Sequence, residues 1–529
     1  MRLRHVRPDT SPAPAQRSLR RQAWQRPAAV AARMTGPERF HFLNQERSLD
    51  DAGWDDPGIP LLWRYNLHYF EDLVARGADE RSAWHEALIQ HWIAENPPGQ
   101  GTGWAPYPTS LRIVNWIRWA LAGNDLGGEA LHSLAIQTRW LMQRLEWHLL
   151  GNHLFANAKA LLFAGLFFEG EEAEGWLRTG LRILQQEIPE QILPDGGHFE
   201  LSTMYHALAC VDMLDMLNLL HCVPQADQGR VAALQAMLRQ RLPDMLRWLA
   251  VMTHPDGEIA FFNDAAFGIA PAPAEIHAYA RRLGIASMEG AGQAEGIVHL
   301  AESGYIRANA GPASLFIDVA EIGPSYIPGH AHADTLSFEL SIAEQRVLVN
   351  GGTSTYAAGR KRQQQRGTAM HNTVVVAGQN SSEVWGSFRV ARRARPFGLQ
   401  IAQGGDNMRI RCCHDGYRRL PGRPVHDRTW EMNAQGLFIG DMLKTGQQQQ
   451  ATALFRFHPA LSGAVESDVS PRHPVFSDDR LTVAAQVRQG MPSVLAGQWH
   501  PGFGEECSCA LLAVDLQENI SSIGFKWKE

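Results

Sequence analysis

The spacing of apolar residues changes once along this 529-residue chain, near Gly292. From about Trp63 to Ile285 apolar side chains recur every three or four residues, which is the period of an amphipathic helix. From about Ser303 onward short segments alternate apolar and polar residues, which is the period of a strand with one buried face. We therefore expect helices first and strands second along the chain.

Short Gly, Pro or Asn breaks divide the first region into seven predicted helices. They cover residues 82–93, 111–121, 131–149, 154–168, 172–187, 204–220 and 230–252. Consecutive helices with short loops are typical of an α/α toroid or a bundle. The short strands after Gly292 are typical of an antiparallel β-sandwich. The prediction is an α+β chain with a helical domain over residues 46–295 and a β-sandwich domain over residues 296–529.

Residues 1–45 contain many Arg, Pro, Ala and Gln residues, and this composition predicts a disordered basic tail. The segment lacks the apolar run of a signal peptide. No stretch of about 20 apolar residues is present, so no membrane-spanning helix is expected. By default we expect a cytoplasmic location, or a periplasmic one if the start site is misassigned.

The overall composition narrows the choice of partner. The net charge of −6 does not favour a nucleic-acid partner. The six cysteines lack CxxC spacing, so we expect them to be reduced and structural. The 16 tryptophans are a mild indication of sugar binding, because Trp often stacks on sugar rings, although Trp is also a common core residue.

The segment Pro328–Leu340 contains the most versatile group of polar side chains. His330, His332 and Asp334 alternate, and apolar residues continue the alternation to the end of the segment. This pattern predicts a half-buried strand with the two imidazoles on one face. Such a pair can bind a metal, move protons or hold a carboxylate. The alternative is a solvated loop that happens to contain histidine, which the apolar half makes less favourable.

Aromatic residues alternate with Arg and Asn in residues 63–70 and 104–116. Aromatic rings can stack on sugars, and Arg can pair with their carboxylates. The alternative is packing of large aromatic side chains at helix ends. The candidate sugar-binding residues in these segments are Arg64, Tyr107, Arg112 and Trp116.

Two further groups lie at predicted helix starts. Asn152 is a plausible N-cap, and together with His153 it could also bind an anion at a helix N-terminus. Residues 194–200 contain an Asp-Gly-Gly turn, and Tyr205 follows in the first turn of the next helix. A tyrosine there is more often a core or interface residue than a catalyst, so its position alone decides nothing.

A fourth group, residues 349–374, contains Asn350, Arg366 and His371. His332, His371 and a nearby oxygen ligand would supply three zinc ligands. The alternative is a pair of core histidines, because a His-x-His with one distant His is a weak zinc signal.

These groups together resemble the heparinase II/III-like family of polysaccharide lyases, which also resembles oligoalginate lyases. The resemblance covers roughly Trp63 to Arg393 and looks closest to members associated with bacterial exopolysaccharide clusters. It implies an incomplete α/α toroid followed by an antiparallel β-sandwich, with the active site in the cleft between them. The matching stretches are NLHYFEDL, PYPTSLRIVNWIRW, GNHLFANAKALLFAGLFF, QILPDGGHFELSTMYH, GHAHADTLSFEL, NGGTSTY and AMHNTVVVAGQNSSEVWGSFR.

The resemblance also implies cleavage of a uronate-containing polysaccharide by β-elimination, which leaves 4,5-unsaturated ends. The C5 proton of a uronate becomes acidic only when its carboxylate is neutralised, and an acid must then protonate the O4 leaving group. Tyr205 matches the family's catalytic tyrosine, His330 matches a catalytic histidine, and Asn152 or His153 matches the neutralising position. His198 lies in a matching stretch and Arg366 lies between two of them in the fourth group, and both are added to the substrate-binding residues.

The resemblance implies one structural Zn²⁺ in part of the family and no organic cofactor. His332 and His371 match its ligands. This chain has Asn350 where we expect an Asp ligand, and a neutral amide is a poorer zinc ligand than a carboxylate.

Two other functions compete with the lyase. A glycoside hydrolase could share the α/α toroid, but it needs two carboxylates flanking one bond. Asp195, Glu200 and Asp264 are candidates, and no pairing among them is visible in the sequence. A non-catalytic polysaccharide-binding protein of exopolysaccharide assembly would tolerate loss of Tyr205 or His330, and both are present.

Overall fold

The computed structural model describes residues 7–464 and 472–528. These residues form two compact units. The helical unit takes the described residues up to Ile192, together with 208–243 and 275–287. The sheet unit takes residues 193–207 and 244–274 and the described residues from Met288 onward.

The helical unit begins with a small antiparallel sheet and continues with helices, three of which (α8, α9 and α10) have some residues assigned to the sheet unit. The strands are β1 Met34–Gly36, β2 Arg39–Phe42 and β3 Gln45–Ser48. The helices are α1 Leu49–Ala52, α2 Leu61–Tyr69, α3 Ser82–Glu95, α4 Pro106–Leu121, α5 Gly127–Met142, α6 Gly151–Phe167, α7 Glu171–Gln191, α8 Thr203–Cys222, α9 Ala232–Val251 and α10 Pro273–Arg282.

Local sequence explains several of these helices. α4 begins with Pro in its first turn, where the missing N–H would have no partner anyway. α7 carries three glutamates in its first turn, where negative charge is favoured by the helix dipole. α6 is mostly apolar and almost entirely buried, as expected of a central helix, and its buried Lys159 pairs with Asp212 and Asp215. No described helix is long and apolar enough to cross a membrane.

The prediction that residues 1–45 form a disordered tail is wrong for the described residues 7–45. The N–H of Arg17 donates to the carbonyl of Phe167 (2.8 Å), and the N–H of Arg20 donates to the carbonyl of Cys222 (2.8 Å). Phe40 and Phe42 are buried. The segment is ordered because its backbone bonds to the helices and its few apolar residues are buried. Residues 1–6 lie outside the described part of the chain.

The sheet unit contains β4 to β22 and one short helix. They are β4 Gly296–Leu300, β5 Tyr305–Ala310, β6 Ala313–Asp318, β7 Phe338–Ile342, β8 Gln345–Leu348, α11 Arg360–Gln365, β9 Val374–Val376, β10 Glu383–Trp385, β11 Arg389–Ala391, β12 Pro396–Gly404, β13 Asn407–His414, β14 Val425–Asn433, β15 Gly436–Lys444, β16 Ala451–Arg456, β17 Ser462–Ala464, β18 Val475–Ser477, β19 Thr482–Gln489, β20 Met491–Trp499, β21 Cys507–Asp515 and β22 Ile520–Lys528.

The described strands of this unit pair antiparallel. The three larger sheets have the orders β4-β5-β6-β7-β8, β12-β13-β14-β15-β22-β19-β18-β17 and β20-β21-β16-β9. β19 alternates exposed and buried residues, as a strand with one solvated face does. Inward-facing residues of the three sheets form one apolar core. The predicted class, an α/α toroid followed by an antiparallel β-sandwich, is confirmed.

The last helix of the helical region, α10, ends at Arg282, and the first strand of the sheet region, β4, begins at Gly296, so the change of sequence pattern near Gly292 lies between them. The compact units, however, do not divide at residue 295. Residues 193–207 and 244–274 belong to the sheet unit. One reason is Asp195, whose carboxylate accepts the N–H groups of Glu302 (3.1 Å) and Ser303 (2.7 Å).

Residues 328–337 do not form the predicted strand, because β7 begins only at Phe338. The backbone N–H of His332 donates to the side chain of Asn263 (3.0 Å), and that of Ala333 donates to the carbonyl of Arg366 (2.9 Å). Leu336 has a φ of 64°, which a strand does not allow. The N–H groups that a strand would pair are therefore used by surrounding loops. All six cysteines lie in the described residues and are free.

Candidate active site

Asp264 lies at the centre of a buried group of charged and imidazole side chains in the sheet unit. Its Oδ2 accepts hydrogen bonds from Arg362 (2.7 Å) and from His330 Nδ1 (2.9 Å). Its Oδ1 accepts from His332 Nε2 (2.8 Å), from Thr353 (3.1 Å) and from the second arm of the Arg362 guanidinium. One carboxylate thus orients two imidazoles and one guanidinium.

The protonation state of Asp264 follows from its neighbours. Burial alone would raise the pKa of this carboxyl, but the charge of Arg362 and the hydrogen bonds from both histidines hold its pKa well below its usual value. An ionised carboxylate only accepts hydrogen bonds, so each histidine must present an N–H to it. His330 therefore carries its proton on Nδ1 when it is neutral, and its Nε2 is left for other chemistry.

His330 connects this buried group to the surface. Its side chain is 13% exposed, and its Nε2 lies 3.4 Å from Glu200 Oε2. The imidazole packs against the ring of Tyr205, with centroids 3.9 Å apart and ring planes inclined by 31°. The edge of Phe388 lies across the imidazole, with centroids 6.0 Å apart. The pair that the sequence predicted to act together, Tyr205 and His330, is therefore in direct contact.

Tyr205 has a second tyrosine as hydrogen-bond partner. Its hydroxyl lies 3.1 Å from the hydroxyl of Tyr356. Burial raises the pKa of Tyr356 well above its usual value, so this hydroxyl stays protonated and can donate. The guanidinium of Arg362 lies 4.9 Å from the centre of the Tyr356 ring. A hydroxyl donor and a nearby guanidinium would favour negative charge on the Tyr205 oxygen.

The helix start places Tyr205 beside Asp264. Ser202 precedes α8, and its hydroxyl oxygen accepts the N–H of Tyr205 (3.1 Å), which is N-cap geometry. The same hydroxyl donates to the backbone carbonyl of Asp264. Asn263 has a φ of 58°, and its side-chain amide donates to the carbonyl of Leu201 (2.9 Å). Hydrogen bonds therefore link the three segments that contain Ser202, Asn263 and His332.

The predicted metal ligands His332 and His371 face each other. His332 Nδ1 lies 3.2 Å from His371 Nε2; we call these two side chains the imidazole pair. Burial lowers the pKa of both imidazoles, so both are neutral. Because His332 gives its Nε2–H to Asp264, its Nδ1 accepts the proton on His371 Nε2, and the two imidazoles are hydrogen-bonded to each other.

The residues present fit a zinc ion poorly. The Asn350 amide nitrogen donates to the carbonyl of Phe261 (2.8 Å), and its oxygen accepts the N–H of Asn372 (3.3 Å). Both polar atoms of the third predicted ligand are therefore engaged. A structural zinc site needs four strong donors, and this group offers two imidazoles. The predicted Zn²⁺ remains untested, and no chemical step is assigned to it.

The same arrangement occurs a second time in the sheet unit. His426 Nδ1 lies 3.2 Å from His414 Nε2, and its Nε2 lies 2.7 Å from Asp441. Arg428 pairs with Asp441 at 2.7 and 3.0 Å. A hydrogen-bonded His–His–Asp–Arg group is thus a recurring way to satisfy buried polar side chains in this unit.

Asn152 and His153 belong to the helical unit. α6 begins at Gly151 after Leu150, so Asn152 lies inside the first turn and is not the N-cap that the sequence suggested. His153 Nδ1 lies 3.1 Å from Glu146 Oε1, and its ring lies 4.6 Å from the ring of Tyr107. Neutralisation of a substrate by Asn152 or His153 stays a prediction.

Three of the predicted sugar-binding residues in the helical unit are engaged elsewhere. Arg112 and Trp116 are 0% exposed, and the guanidinium of Arg112 stacks on Trp92 at 3.8 Å. We assign both to the core, because a side chain with no exposed surface cannot contact a sugar. Arg64 pairs with Asp55 at 2.6 Å, which occupies its charge.

His198 and Arg366 are also buried, in the sheet unit. Burial lowers the pKa of His198 to about 3, so it is neutral. Arg366 donates from Nε (3.1 Å) and Nη2 (2.8 Å) to the carbonyl of Ala331. Arg366 therefore holds the backbone between His330 and His332, and its predicted contact with substrate is replaced by a positioning role.

Sequence reasoning assigned no lyase role to Asp264, Arg362 or Tyr356, and it weighed Asp264 only as a hydrolase carboxylate. The structure does not support that hydrolase arrangement. His330 stands between Glu200 and Asp264, so these carboxylates do not flank a space that a glycosidic bond could enter. Asp195 is bonded to the backbone near Ser303.

The fold and the site together define a class: an α/α toroid and an antiparallel β-sandwich with a tyrosine–histidine centre. Residues 76–276 match the family model of the heparinase II/III N-terminus, and residues 292–525 match that of the heparinase II/III-like C-terminal domain. The chain belongs to the heparinase II/III-like family.

Individual relatives are distant. A heparin-sulfate lyase of Bacteroides stercoris is 24% identical over 387 residues, which cover 68% of this chain and 54% of that protein. FtsZ-localized protein C of Caulobacter vibrioides is 26% identical over 397 residues, which cover 70% of this chain and 63% of that protein. The chain thus spans little more than half of the length of the first relative.

Solved structures show the same fold. The crystal structure of heparinase III has a TM-score of 0.71 at 18% identity, over 89% of this chain and 78% of that chain. Heparan sulfate lyase HepC from Pedobacter heparinus has a TM-score of 0.60 at 18% identity, over 93% of this chain and 81% of that chain.

Proposed function

We propose that this protein is a polysaccharide lyase that cleaves a uronate-containing acidic polysaccharide by β-elimination and leaves 4,5-unsaturated ends. The observation that carries the proposal is the contact between Tyr205 and His330, with ring centroids 3.9 Å apart at a partly exposed position. Membership of the family and the names of the heparin-sulfate lyase relatives support it.

Two proton transfers are required, and the sheet unit contains a group for each. We assign the protonation of the O4 leaving group to Tyr205, and the removal of the C5 proton to His330 or to Tyr205. If His330 takes a proton on Nε2, the resulting imidazolium lies between the carboxylates of Asp264 and Glu200, which stabilise its charge. Tyr356 stabilises the phenolate that Tyr205 becomes after giving its proton.

Asp264 and Arg362 are positioning residues in this mechanism. The guanidinium keeps the Asp264 carboxylate ionised, and the carboxylate keeps the His330 proton on Nδ1. His330 Nε2 is therefore free to accept a proton from a substrate. Carboxylate neutralisation by Asn152 or His153, and an exopolysaccharide as the natural polymer, rest on the resemblance of the motifs alone.

A panel of uronate polymers tests the proposal. The ultraviolet absorbance of a 4,5-unsaturated uronate should appear with at least one polymer and should be absent with Tyr205→Phe. A glycoside hydrolase would release reducing ends without this absorbance, and a binding protein would release neither. Either of these results would overturn the lyase assignment.

A further inference from the structure

The hairpin of β10 and β11, residues 383–391, stands apart from the larger sheets. Its strands pair only with each other among the described residues, with Trp385 opposite Arg389. Trp385 is 56% exposed and Phe388 is 42% exposed. Two large aromatic side chains on one short, solvent-facing hairpin lose much of the burial that would stabilise them, so their exposure suggests a binding function. We call residues 383–391 the aromatic hairpin.

The aromatic hairpin contacts the residues around Asp264, namely Arg362, His330 and Tyr356. Arg362, which clamps Asp264, donates from Nε to the carbonyl of Ser387 at 3.0 Å. The Phe388 ring lies edge-on to His330 (6.0 Å) and to Tyr356 (5.5 Å), measured between ring centroids. One aromatic residue of the hairpin therefore borders His330 and Tyr356 directly, and Trp385 lies three residues earlier on the same hairpin.

Positive charge accompanies the aromatic surface. The guanidinium of Arg389 lies 5.9 Å from the centre of the Trp385 ring, and Arg389 is exposed. Arg393 donates to the carbonyls of Pro324 (3.2 Å) and Ser325 (2.9 Å), which places the exposed Tyr326 on the adjoining loop. Aromatic faces bind the apolar faces of pyranose rings, and guanidinium groups pair with their carboxylates or sulfates.

We propose that the aromatic hairpin is a sugar-binding subsite for the polysaccharide that reaches Tyr205 and His330. Phe388 and Trp385 stack on successive pyranose rings, and Arg389 pairs with an anionic substituent. This inference rests on the proposed function for the identity of the polymer. An acidic glycan is the partner that fits, because the exposed positive charge of Arg389 complements its anionic groups and Phe388 borders His330 and Tyr356.

Trp385→Ala is the cleanest test, since Trp385 is given no role in proton transfer. Loss of one stacking ring should raise KM roughly 3- to 10-fold, with kcat changed less than about twofold. Trp385→Phe should restore most of the loss. Phe397→Ala is the control, because Phe397 is a large exposed aromatic residue outside the hairpin, with an exposure of 42%. It lies on β12 beside Arg418, and its removal should leave KM unchanged.

Binding can be measured without turnover. In the Tyr205→Phe background, affinity electrophoresis with heparan sulfate and with alginate should show binding that Trp385→Ala weakens by the same factor. Arg389→Gln should weaken it most at low ionic strength, because salt screens an exposed charge. Equal affinity of the Trp385→Ala and parent proteins for every polymer would overturn the subsite, as would failure of the parent to bind any of them.

These results separate the subsite from the enzyme activity. Binding that depends on Trp385, with no unsaturated product from the wild type, would refute the lyase and keep the subsite. Unsaturated product with a KM independent of Trp385 would refute the subsite and keep the lyase. Binding of proteins in place of glycans by the aromatic hairpin would also refute the subsite.

Discussion

Tyr205→Phe removes one oxygen atom and leaves the ring that packs against His330. The structural cost is therefore confined to the hydroxyl. In the wild type that oxygen lies 3.1 Å from the Tyr356 hydroxyl, and a neutral hydrogen bond of this kind contributes about 1 kcal/mol to stability. The centroid contact of 3.9 Å with His330 should persist, so we expect the melting temperature to fall by no more than about 2–4 °C.

The catalytic cost should be larger than the structural cost. A general acid–base group contributes roughly 10²- to 10⁴-fold in rate, which corresponds to about 2.7–5.4 kcal/mol of transition-state stabilisation. Because the hydroxyl moves a proton only during the reaction, kcat should fall by this factor while substrate affinity changes little. The expected loss of transition-state stabilisation and the expected loss of folding stability differ by more than the error of either measurement.

Tyr356→Phe provides the matched control. It breaks the same hydrogen bond from the other side, so its effect on stability should equal that of Tyr205→Phe. Its effect on kcat should stay below about tenfold, because Tyr356 supports the Tyr205 oxygen without transferring a proton to substrate. Both variants are assayed on one preparation each, by thermal melting and by formation of unsaturated product.

Turnover of Tyr205→Phe at the wild-type rate would show that the Tyr205 hydroxyl transfers no proton. A role in proton transfer is equally contradicted if Tyr205→Phe and Tyr356→Phe lose the same large factor, since a shared structural defect would then explain both. A melting temperature lower by 10 °C or more in the Tyr205 variant would show that the hydroxyl is a core group, and the rate loss would carry no mechanistic meaning.

Three further outcomes are expected. Of Asn152→Ala and His153→Ala, the one that removes the neutralising group should lower kcat/KM roughly 10²- to 10³-fold in steady-state assays, and two fully active variants would contradict the assignment. Burial lowers the pKa of His68 and His198 to about 3, below the unfolded value near 6.5. Stability should therefore be greatest above pH 6.5 and should fall below it, by about 1.4 kcal/mol per pH unit for each histidine, because the unfolded chain binds more protons. Urea unfolding at several pH values measures this fall, and constant stability down to pH 5 would contradict it. Elemental analysis should find well under one zinc per chain, with a melting temperature unchanged by chelator, whereas one tightly held zinc would show that Asn350 acts as a ligand after all.

Most of the predicted helices were correct to within five residues at each end, but the helix predicted over residues 131–149 is α5, Gly127–Met142. The spacing predicted a helix over residues 82–93, and α3 spans Ser82–Glu95; it predicted 172–187, and α7 spans Glu171–Gln191. Apolar period is a local property, and burial of one face enforces it. The same reasoning failed for residues 7–45, which show no period, and for residues 328–337, where a period-two alternation is present but backbone groups bond to distant segments.

The sequence by itself determined which side chains could do chemistry. Tyr205 at a helix start and His330 in a histidine-rich segment were singled out before any contact was known, and their motifs matched a family. Burial could not be read in the same way. The alternation of Arg and Trp in α4 looked like a sugar groove, yet Arg112 and Trp116 are in the core, because a helix packed on several sides hides both its polar and apolar faces.

Only the tertiary structure decided how the site works. Asp264 lies 66 residues from His330 and 98 residues from Arg362 along the chain, and a carboxylate gives no sign in its own sequence context of which imidazole it will orient. Its ionisation depends on a guanidinium that folding brings within 2.7 Å. The sequence gives the type of each side chain directly, whereas its pKa, tautomer and burial depend on neighbours that only folding brings close.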